Sequence, residues 1–254
     1  MNSLEATNII IGVNKNSNHN FAVELATTAA SQGSHVAIIG PSVDSINKKI
    51  EAVSALCFTL QCDLNNESSC DATITELASK WSGKVDAYIN LLSLPDDGCL
   101  LDIESNHLHG NIGSNICDQF ISCRSVARVM KKSPTGSIVN ILPWDISVKN
   151  LNSSYYTFVR ESSVALSKSL AQALASSGIR VNSINPGFIY SEPTHGEISF
   201  EACEEAIHKV PMKRCGRSND LIGPALFLAS NESGYITGTE LLVDGGLTNI
   251  PLVK

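Results

Sequence analysis

Short apolar runs alternate with longer amphipathic segments along the whole chain, and this alternation limits the fold more than any other feature. The runs are apolar throughout, which is typical of strands buried on both faces, and their repetition with helices implies right-handed crossovers and a parallel sheet. Strands are predicted at Asn8–Gly12, His35–Ile39, Leu56–Gln61, Val85–Asn90, Ser137–Leu142, Arg180–Asn185 and Glu240–Val243. Helices are predicted at Phe21–Gln32, Val43–Val53, Ala72–Trp81, Asn115–Lys131, Tyr156–Ser176 and Asp220–Ala229, with Gly33 and Gly178 as helix stops.

No linker, repeat or low-complexity tract divides the 254 residues, so we expect one domain over residues 1–254. The predicted fold class is α/β. Its core is a single Rossmann-type, doubly wound parallel sheet of about seven strands, with helices on both faces.

Charge and composition argue against two classes of partner. The net charge of -7 argues against nucleic acid, because an acidic surface does not displace phosphate counterions. The apolar runs have the length of strands, so no segment is expected to span a membrane, and the polar first residues contain no signal-peptide core. We therefore expect a cytoplasmic protein whose 8 cysteines are reduced thiols with structural roles.

The most informative motif lies in the second half of the chain. Tyr156 and Arg160 stand one helical turn apart, and the chain continues to Asn185-Pro186-Gly187. This pattern resembles the short-chain dehydrogenase/reductase family, and the resemblance extends over nearly the whole chain, most strongly over residues 136–246. In that family a Tyr protonates a carbonyl group and a Lys lowers its pKa and holds the nicotinamide ribose. A Ser polarises the carbonyl and an Asn anchors a water relay.

The resemblance implies that Tyr156 is the acid–base group, with Arg160 at the Lys position and Asn115 at the Asn position. Because Arg160 stays protonated at any working pH, it supplies a positive charge that lowers the pKa of Tyr156. The position of the family's Ser is occupied by Pro143, which has neither a hydroxyl group nor a backbone N–H. The reaction centre therefore departs from the family pattern at two positions.

The turn after the first strand departs from the pattern as well. The family has Gly-x-x-x-Gly-x-Gly, whereas here only Gly12 remains, and Asn16 and Asn18 replace the other glycines. Asn tolerates a left-handed backbone, so the turn itself is expected to survive, but the two side chains are expected to crowd a pyrophosphate. An ordinary polar loop over no ligand is the alternative interpretation.

Other cofactor positions give a mixed picture. Gly40 lacks the carboxylate that binds the adenosine ribose in NAD-dependent relatives, whereas Lys15 lies where NADP-dependent relatives carry a basic residue. The resemblance places Asp63 at the adenine and Ser191 at the nicotinamide amide, although both residue types also cap turns and helices. We expect either no cofactor or weakly bound NADP(H), and the candidate cofactor-binding residues are Gly12, Lys15, Asp63, Asn90 and Ser191.

These substitutions lead to two functional hypotheses. The first is a divergent family member with altered or lost hydride transfer, either a non-redox isomerase, cyclase or lyase that uses Tyr156 with Arg160, or a pseudoenzyme. The alternative is a divergent NADP(H)-dependent carbonyl reductase or alcohol dehydrogenase. The expected partner is a small apolar or carbonyl-bearing molecule, and the candidate walls of its site are Trp144, Phe188, Tyr190 and Phe200.

Two further expectations concern metals and assembly. His107 and His109 have no further ligands at metal-binding spacing, so no metal is expected. The helices near Asn115–Lys131 and Tyr156–Ser176 and the C-terminal strand match the segments that form subunit interfaces in the family. We therefore expect a homodimer or a homotetramer.

Overall fold

The computed structural model describes residues 4–14, 17–92, 104, 106, 109–110, 113–133, 135–144, 154–190, 204 and 207–249. Everything stated below about the structure refers to these residues.

Seven parallel strands form one sheet in the order β3-β2-β1-β4-β5-β6-β7. The change of winding direction between β1 and β4 makes the sheet doubly wound, which confirms the predicted fold class. The strands are β1 Asn8–Val13, β2 His35–Gly40, β3 Cys57–Gln61, β4 Ala87–Leu91, β5 Gly136–Ile141, β6 Ile179–Pro186 and β7 Glu240–Val243. Their carboxyl ends meet at one edge, where ligands of such sheets bind.

Helices cover both faces of the sheet. They are α1 His19–Ser31, α2 Asp44–Val53, α3 Glu67–Lys80, α4 Asp118–Met130, α5 Ser154–Leu174 and α6 Ser218–Ala229. Alternate residues of β1 show the two layers, because Ile9 and Ile11 pack against α1, α2 and α6, whereas Ile10 faces α3, α4 and α5. The continuous apolar strands thus follow from burial on both faces.

Helix boundaries differ most from the prediction at two places. The third helix begins at Glu67 instead of Ala72, because the side chain of Asn66 accepts a hydrogen bond from the Ser69 amide and caps the helix. The fourth predicted helix begins as a π-helical turn, Gly113–Cys117, before α4. Such turns occur often at functional sites.

Helix ends follow the predicted stop signals. Gly33 and Gly178 have φ angles of 91° and 73°, the left-handed region that glycine adopts without steric cost. No described helix is long and apolar enough to cross a membrane.

Candidate active site

A tyrosine hydroxyl group is held between a cation and a carbonyl oxygen at the carboxyl edge of the sheet. Arg160 Nη1 donates to Tyr156 Oη at 3.0 Å, and this hydroxyl donates to the carbonyl oxygen of Pro143 at 2.9 Å. Arg160 Nη2 donates to the carbonyl oxygen of Pro186 at 3.2 Å. The end of β6, the residues after β5 and one turn of α5 therefore meet at a single group.

The guanidinium of Arg160 also lies over the ring of Tyr156, with 5.2 Å between its central carbon and the ring centroid. Tyr156 is 4% exposed, so its hydroxyl group lies in a largely water-excluded place. The predicted pair is thus brought together as expected from its spacing on one helix face. The carbonyl of Pro143 accepts a hydrogen bond here and cannot donate one, as expected where Pro replaces the family's Ser.

Asn115 lies in the π-helical turn before α4 and is fully buried. A π turn adds one residue to the helical repeat and therefore re-aims the side chains next to it. The sequence predicted a regular helix from Asn115, so this local widening was missed.

A buried polar network runs behind the carboxyl edge. Tyr88 Oη donates to Asn90 Oδ1 at 3.3 Å, and Asn90 Nδ2 donates to Asn140 Oδ1 at the same distance. Asn140 Nδ2 donates to Ser167 Oγ at 3.0 Å, and Gln119 Nε2 donates to this hydroxyl at 2.9 Å. Because Asn90 is bonded within the protein, it contributes to the site by holding the end of β4 in place.

Close packing explains why Gly12 is retained at the end of β1, before the turn that departs from the family's glycine pattern. A Cβ atom on Gly12 would collide with the hydroxyl group of Tyr88. Burial raises the pKa of Tyr88 well above its usual range, so this hydroxyl stays protonated. Gly12 is therefore required by β4 as well as by any ligand, and sequence reasoning missed Tyr88 because it reads as one more apolar residue of a buried strand.

The turn that follows is closed by its own side chains. Ser17 Oγ donates to the carbonyl oxygen of Leu91 at 2.7 Å and accepts from the Asn14 amide at 3.0 Å. Asn18 Oδ1 accepts from the Phe21 amide at 2.9 Å and caps α1. Its backbone is extended, with φ -73°, so Asn18 does not adopt the left-handed conformation that Asn tolerates. Lys15 and Asn16 lie outside the described residues.

The missing carboxylate after β2 also has a steric cause. A Cβ atom on Gly40 would collide with the carbonyl oxygen of Val13. The ends of β1 and β2 approach so closely that no side chain fits at Gly40 without a shift of the backbone. The structure therefore places no ribose acceptor at this position.

Two carboxylates lie near the ends of β1 to β3, the part of the carboxyl edge that we call the adenosine end because the family binds adenosine there. Asp63 is exposed and accepts from the Asn65 amide at 3.1 Å, so it caps a turn, one of the two roles considered for it. Asp118 is 7% exposed, and its Oδ1 has no partner among the described residues. Burial, with a smaller contribution from the charge of Asp63, raises the pKa of Asp118 to about 7, although a hydrogen bond with Asn14 acts in the opposite direction. Nothing in the sequence distinguished Asp118 from a solvated helix residue.

Two of the apolar candidates, Trp144 and Phe188, are buried in apolar clusters. Trp144 packs edge-on against Phe21, with 5.2 Å between ring centroids, and Phe188 packs with Val210. Only Tyr190 of the described candidate walls is exposed. Phe200, Ser191 and His107 lie outside the described residues, and His109 is exposed. In the part of the chain that the structure describes, no group of three or more His, Cys, Asp or Glu side chains could hold a metal.

This fold and this site define a class of protein. A doubly wound parallel sheet with a helix N-terminus at the switch point is the architecture of dinucleotide-binding folds. A family model described as enoyl-(acyl carrier protein) reductase matches residues 16–248. The chain belongs to the short-chain dehydrogenase/reductase family.

Individual relatives agree with this assignment. A 3-oxoacyl-(acyl-carrier-protein) reductase FabG from Staphylococcus epidermidis is 26% identical over 239 residues, which cover 94% of this chain and 97% of the relative. A protein of the same description from Buchnera aphidicola is 29% identical over 241 residues, 94% of this chain and 96% of its own length.

Solved structures show the same architecture. A hydroxysteroid dehydrogenase from Escherichia coli superposes with a TM-score of 0.81 at 26% identity, covering 96% of this chain and 99% of its own. A short-chain type dehydrogenase/reductase from Mycobacterium ulcerans gives a TM-score of 0.84 at 22% identity, covering 96% and 90%. Together these findings support the oxidoreductase interpretation, which the sequence placed second, and give no support to the non-redox enzyme or the pseudoenzyme.

Proposed function

We propose that the protein is an NADP(H)-dependent carbonyl reductase, or alcohol dehydrogenase in the reverse direction, in which Tyr156 is the acid–base group. The observation that carries this proposal is the hydrogen bond from Arg160 Nη1 to Tyr156 Oη at 3.0 Å. A fixed cation bonded to a phenol stabilises the phenolate that remains after the proton has moved to a substrate oxygen. Arg160 thus takes the role that the family assigns to Lys.

The resting hydrogen bond to Pro143 shapes the proton transfer. In the free protein the hydroxyl group of Tyr156 donates its hydrogen bond to the Pro143 carbonyl oxygen. A substrate oxygen has to replace that carbonyl as the acceptor before the proton can move, because one O–H donates to one acceptor at a time in good geometry. Since Pro143 donates nothing, Tyr156 is the donor on which we expect the developing oxyanion to depend.

The residues fit a nicotinamide dinucleotide unevenly. Arg160, next to the end of β6, suits the nicotinamide ribose, and the N-terminus of α1 suits the pyrophosphate. When bound, the cofactor supplies the hydride. The adenosine part of the cofactor would have fewer contacts, because Gly40 has no side chain and the side-chain oxygen of Asn18 already accepts from one backbone amide of α1. We therefore keep weak NADP(H) binding, with Lys15 favouring the 2′-phosphate, as part of the proposal.

Substrate and assembly complete the proposal. The substrate is a small apolar molecule with a carbonyl group, and the protein, one domain over residues 1–254, is a homodimer or homotetramer in the cytoplasm. Exposed aromatic side chains support the assembly, since Phe120 of α4 and Phe158 of α5 are 41% and 39% exposed on the helices predicted for the interface. A monomer mass by light scattering at micromolar concentration would contradict it.

The experiment is an assay of NADPH oxidation with a panel of small ketones, keto esters and aldehydes. We expect Tyr156→Phe to lower kcat by about 10²–10⁴-fold, because it removes the transferable proton while retaining the ring. Tyr235→Phe is the matched control, since Tyr235 is fully exposed and lines a pocket with Thr7 and Asp86 at the opposite edge of the sheet.

Two outcomes would contradict the proposed function. Equal activity of Tyr156→Phe and the wild type would exclude Tyr156 as the acid–base group. Conversion of a substrate that needs Tyr156 but proceeds at the same rate without NADP(H) would identify a non-redox enzyme instead.

A further inference from the structure

Two buried thiols meet beside the adenosine end of the carboxyl edge. The sulfur atoms of Cys62, directly after β3, and Cys70, in the first turns of α3, lie 3.9 Å apart. Both residues are at most 1% exposed. A disulfide bond is about 2.05 Å long, so its formation requires the two sulfur atoms to approach by about 2 Å.

The surroundings give the two thiols different roles. Cys70 Sγ lies 3.6 Å from the carbonyl oxygen of Asp63 and 3.5 Å from that of Leu64, which are acceptors for its proton. The hydrogen bond with Cys70, with smaller contributions from Thr73 and Ser69, lowers the pKa of the Cys62 thiol, although burial and the charge of Asp63 act in the opposite direction. The pKa of Cys70 is raised by its bond to Cys62 and by burial. Cys62 is therefore the better nucleophile of the pair.

We propose that Cys62 and Cys70 are a peroxide-sensitive dithiol that closes to a reversible disulfide across the turn between β3 and α3. The Cys62 thiolate attacks one peroxide oxygen, which breaks the O–O bond and gives a sulfenic acid and hydroxide. The Cys70 thiol then attacks the sulfenic sulfur and releases water. Two thiols lose two electrons and two protons, and hydrogen peroxide becomes two molecules of water.

The turn between the two cysteines gives the modification a consequence. It contains Asp63, whose backbone amide bonds to Ser69 Oγ, and Asn66, the cap of α3. A covalent link between the strand end and the helix fixes this turn and lowers the conformational freedom of the unfolded chain. The proposal does not depend on any cofactor or on the proposed reductase activity.

The test is peptide mapping of the full-length chain after hydrogen peroxide treatment. Remaining thiols are alkylated, and a Glu-specific protease cuts after Glu67 to separate residues 52–67 from residues 68–76. We expect these two peptides to be joined, two hydrogens lighter than their sum, and to separate again with dithiothreitol. Because Cys57 shares the first peptide, Cys57→Ser is the matched control and should keep the link, whereas Cys62→Ser and Cys70→Ser should lose it.

A trapping experiment assigns the order of attack. In Cys70→Ser we expect dimedone to label Cys62 as a sulfenic acid, and in Cys62→Ser we expect no label at Cys70. Half-buried Cys215 reports whether the peroxide treatment was sufficient. If Cys215 is oxidised in the wild type and the joined peptide is absent, the proposal is overturned. A link that persists in Cys62→Ser, or one that disappears in Cys57→Ser, would overturn it as well.

Discussion

The two halves of the carboxyl edge differ in how their polar groups are used. At the ends of β5 and β6, Arg160 and Tyr156 form a bonded pair that combines a fixed cation with a transferable proton. At the ends of β1 to β3, two described polar side chains serve the protein itself, since Asn18 caps a helix and Asp63 caps a turn. Among the described residues, a cation bonded to a transferable proton is thus found in the first of these halves.

This difference is the basis for the weak dinucleotide binding that we propose. Among the described residues at the adenosine end, Asn18 and Asp63 make internal contacts that stabilise the turns. The reaction half has changed more conservatively, because Arg160 preserves the positive charge although it alters the shape of the group.

Replacement of Asp118 tests the adenosine half most strongly. The pKa of Asp118 is raised in the folded protein, so this carboxyl group ionises at a lower pH in the unfolded chain than in the folded one. The free energy of unfolding therefore falls as the pH rises from about 4 to 7. We expect Asp118→Asn to raise the free energy of unfolding by about 2–4 kcal/mol at pH 8 and to leave it nearly unchanged near pH 3. Urea denaturation at several pH values measures this.

The matched control is Glu161→Gln, which removes an exposed carboxylate of α5. It should change the free energy of unfolding by less than about 0.5 kcal/mol at either pH. An Asp118→Asn variant with the same pH profile as the wild type would show that Asp118 is ionised and compensated in the folded protein.

The sequence predicted the sheet well for a physical reason. Strands buried on both faces need continuous apolar runs, and such runs are visible without any tertiary information. One example is β1, predicted at Asn8–Gly12 and observed at Asn8–Val13 with every residue buried. The Tyr156–Arg160 contact was predictable because it is local, one turn of one helix. The start of α3 was missed because its first turn is polar and its signal is the cap at Asn66.

Contacts between distant segments account for the rest. The approach of Val13 to Gly40 and the position of Tyr88 under Gly12 join residues from different strands, which no local pattern reveals. Leu91, at the end of β4, and Leu92, directly after it, are buried in apolar clusters of the core. Which way a side chain points at a strand end depends on the packing of its neighbours.

Gly40→Ala measures the steric cause of the missing ribose acceptor. Its Cβ atom would collide with the Val13 carbonyl oxygen, so we expect a loss of about 1–3 kcal/mol in the free energy of unfolding. Gly223→Ala is the control, because no atom lies within 4 Å of a Cβ placed there and alanine favours the helix. Equal stability of Gly40→Ala and the wild type would mean that the ends of β1 and β2 are not closely packed.

Pro143→Ser tests the half of the carboxyl edge that contains Tyr156 and Arg160. A hydroxyl group at this position restores a donor near Tyr156, and one oxyanion donor is worth about 2.7–4 kcal/mol where geometry is ideal. Since the loop is not adapted to Ser, we expect a smaller gain, about tenfold in kcat for carbonyl reduction, or ~1.4 kcal/mol. Steady-state kinetics with saturating NADPH measures it. A lower kcat would show that the proline itself holds the carbonyl in the reactive arrangement.

Asn18→Gly is expected to have the smallest effect, a change in the affinity for NADPH. Glycine at a helix cap costs only a few tenths of a kcal/mol relative to Asn, and it frees the Phe21 amide for a phosphate oxygen. We expect NADPH to bind about three- to tenfold more tightly, the gain of roughly one hydrogen bond. Calorimetric titration gives the affinity, and unchanged or weaker binding would show that the Asn18 side chain is part of the cofactor site.

The most direct test of the central claim is transfer of deuterium from NADPH labelled at nicotinamide C4 to a carbonyl compound, followed by mass spectrometry of the alcohol. We expect deuterium in the alcohol formed by the wild type and by Tyr235→Phe, and a rate of labelled-product formation at least about 100-fold lower in Tyr156→Phe. Substrate conversion that depends on Tyr156 but leaves the product without deuterium from either face of C4 would contradict it.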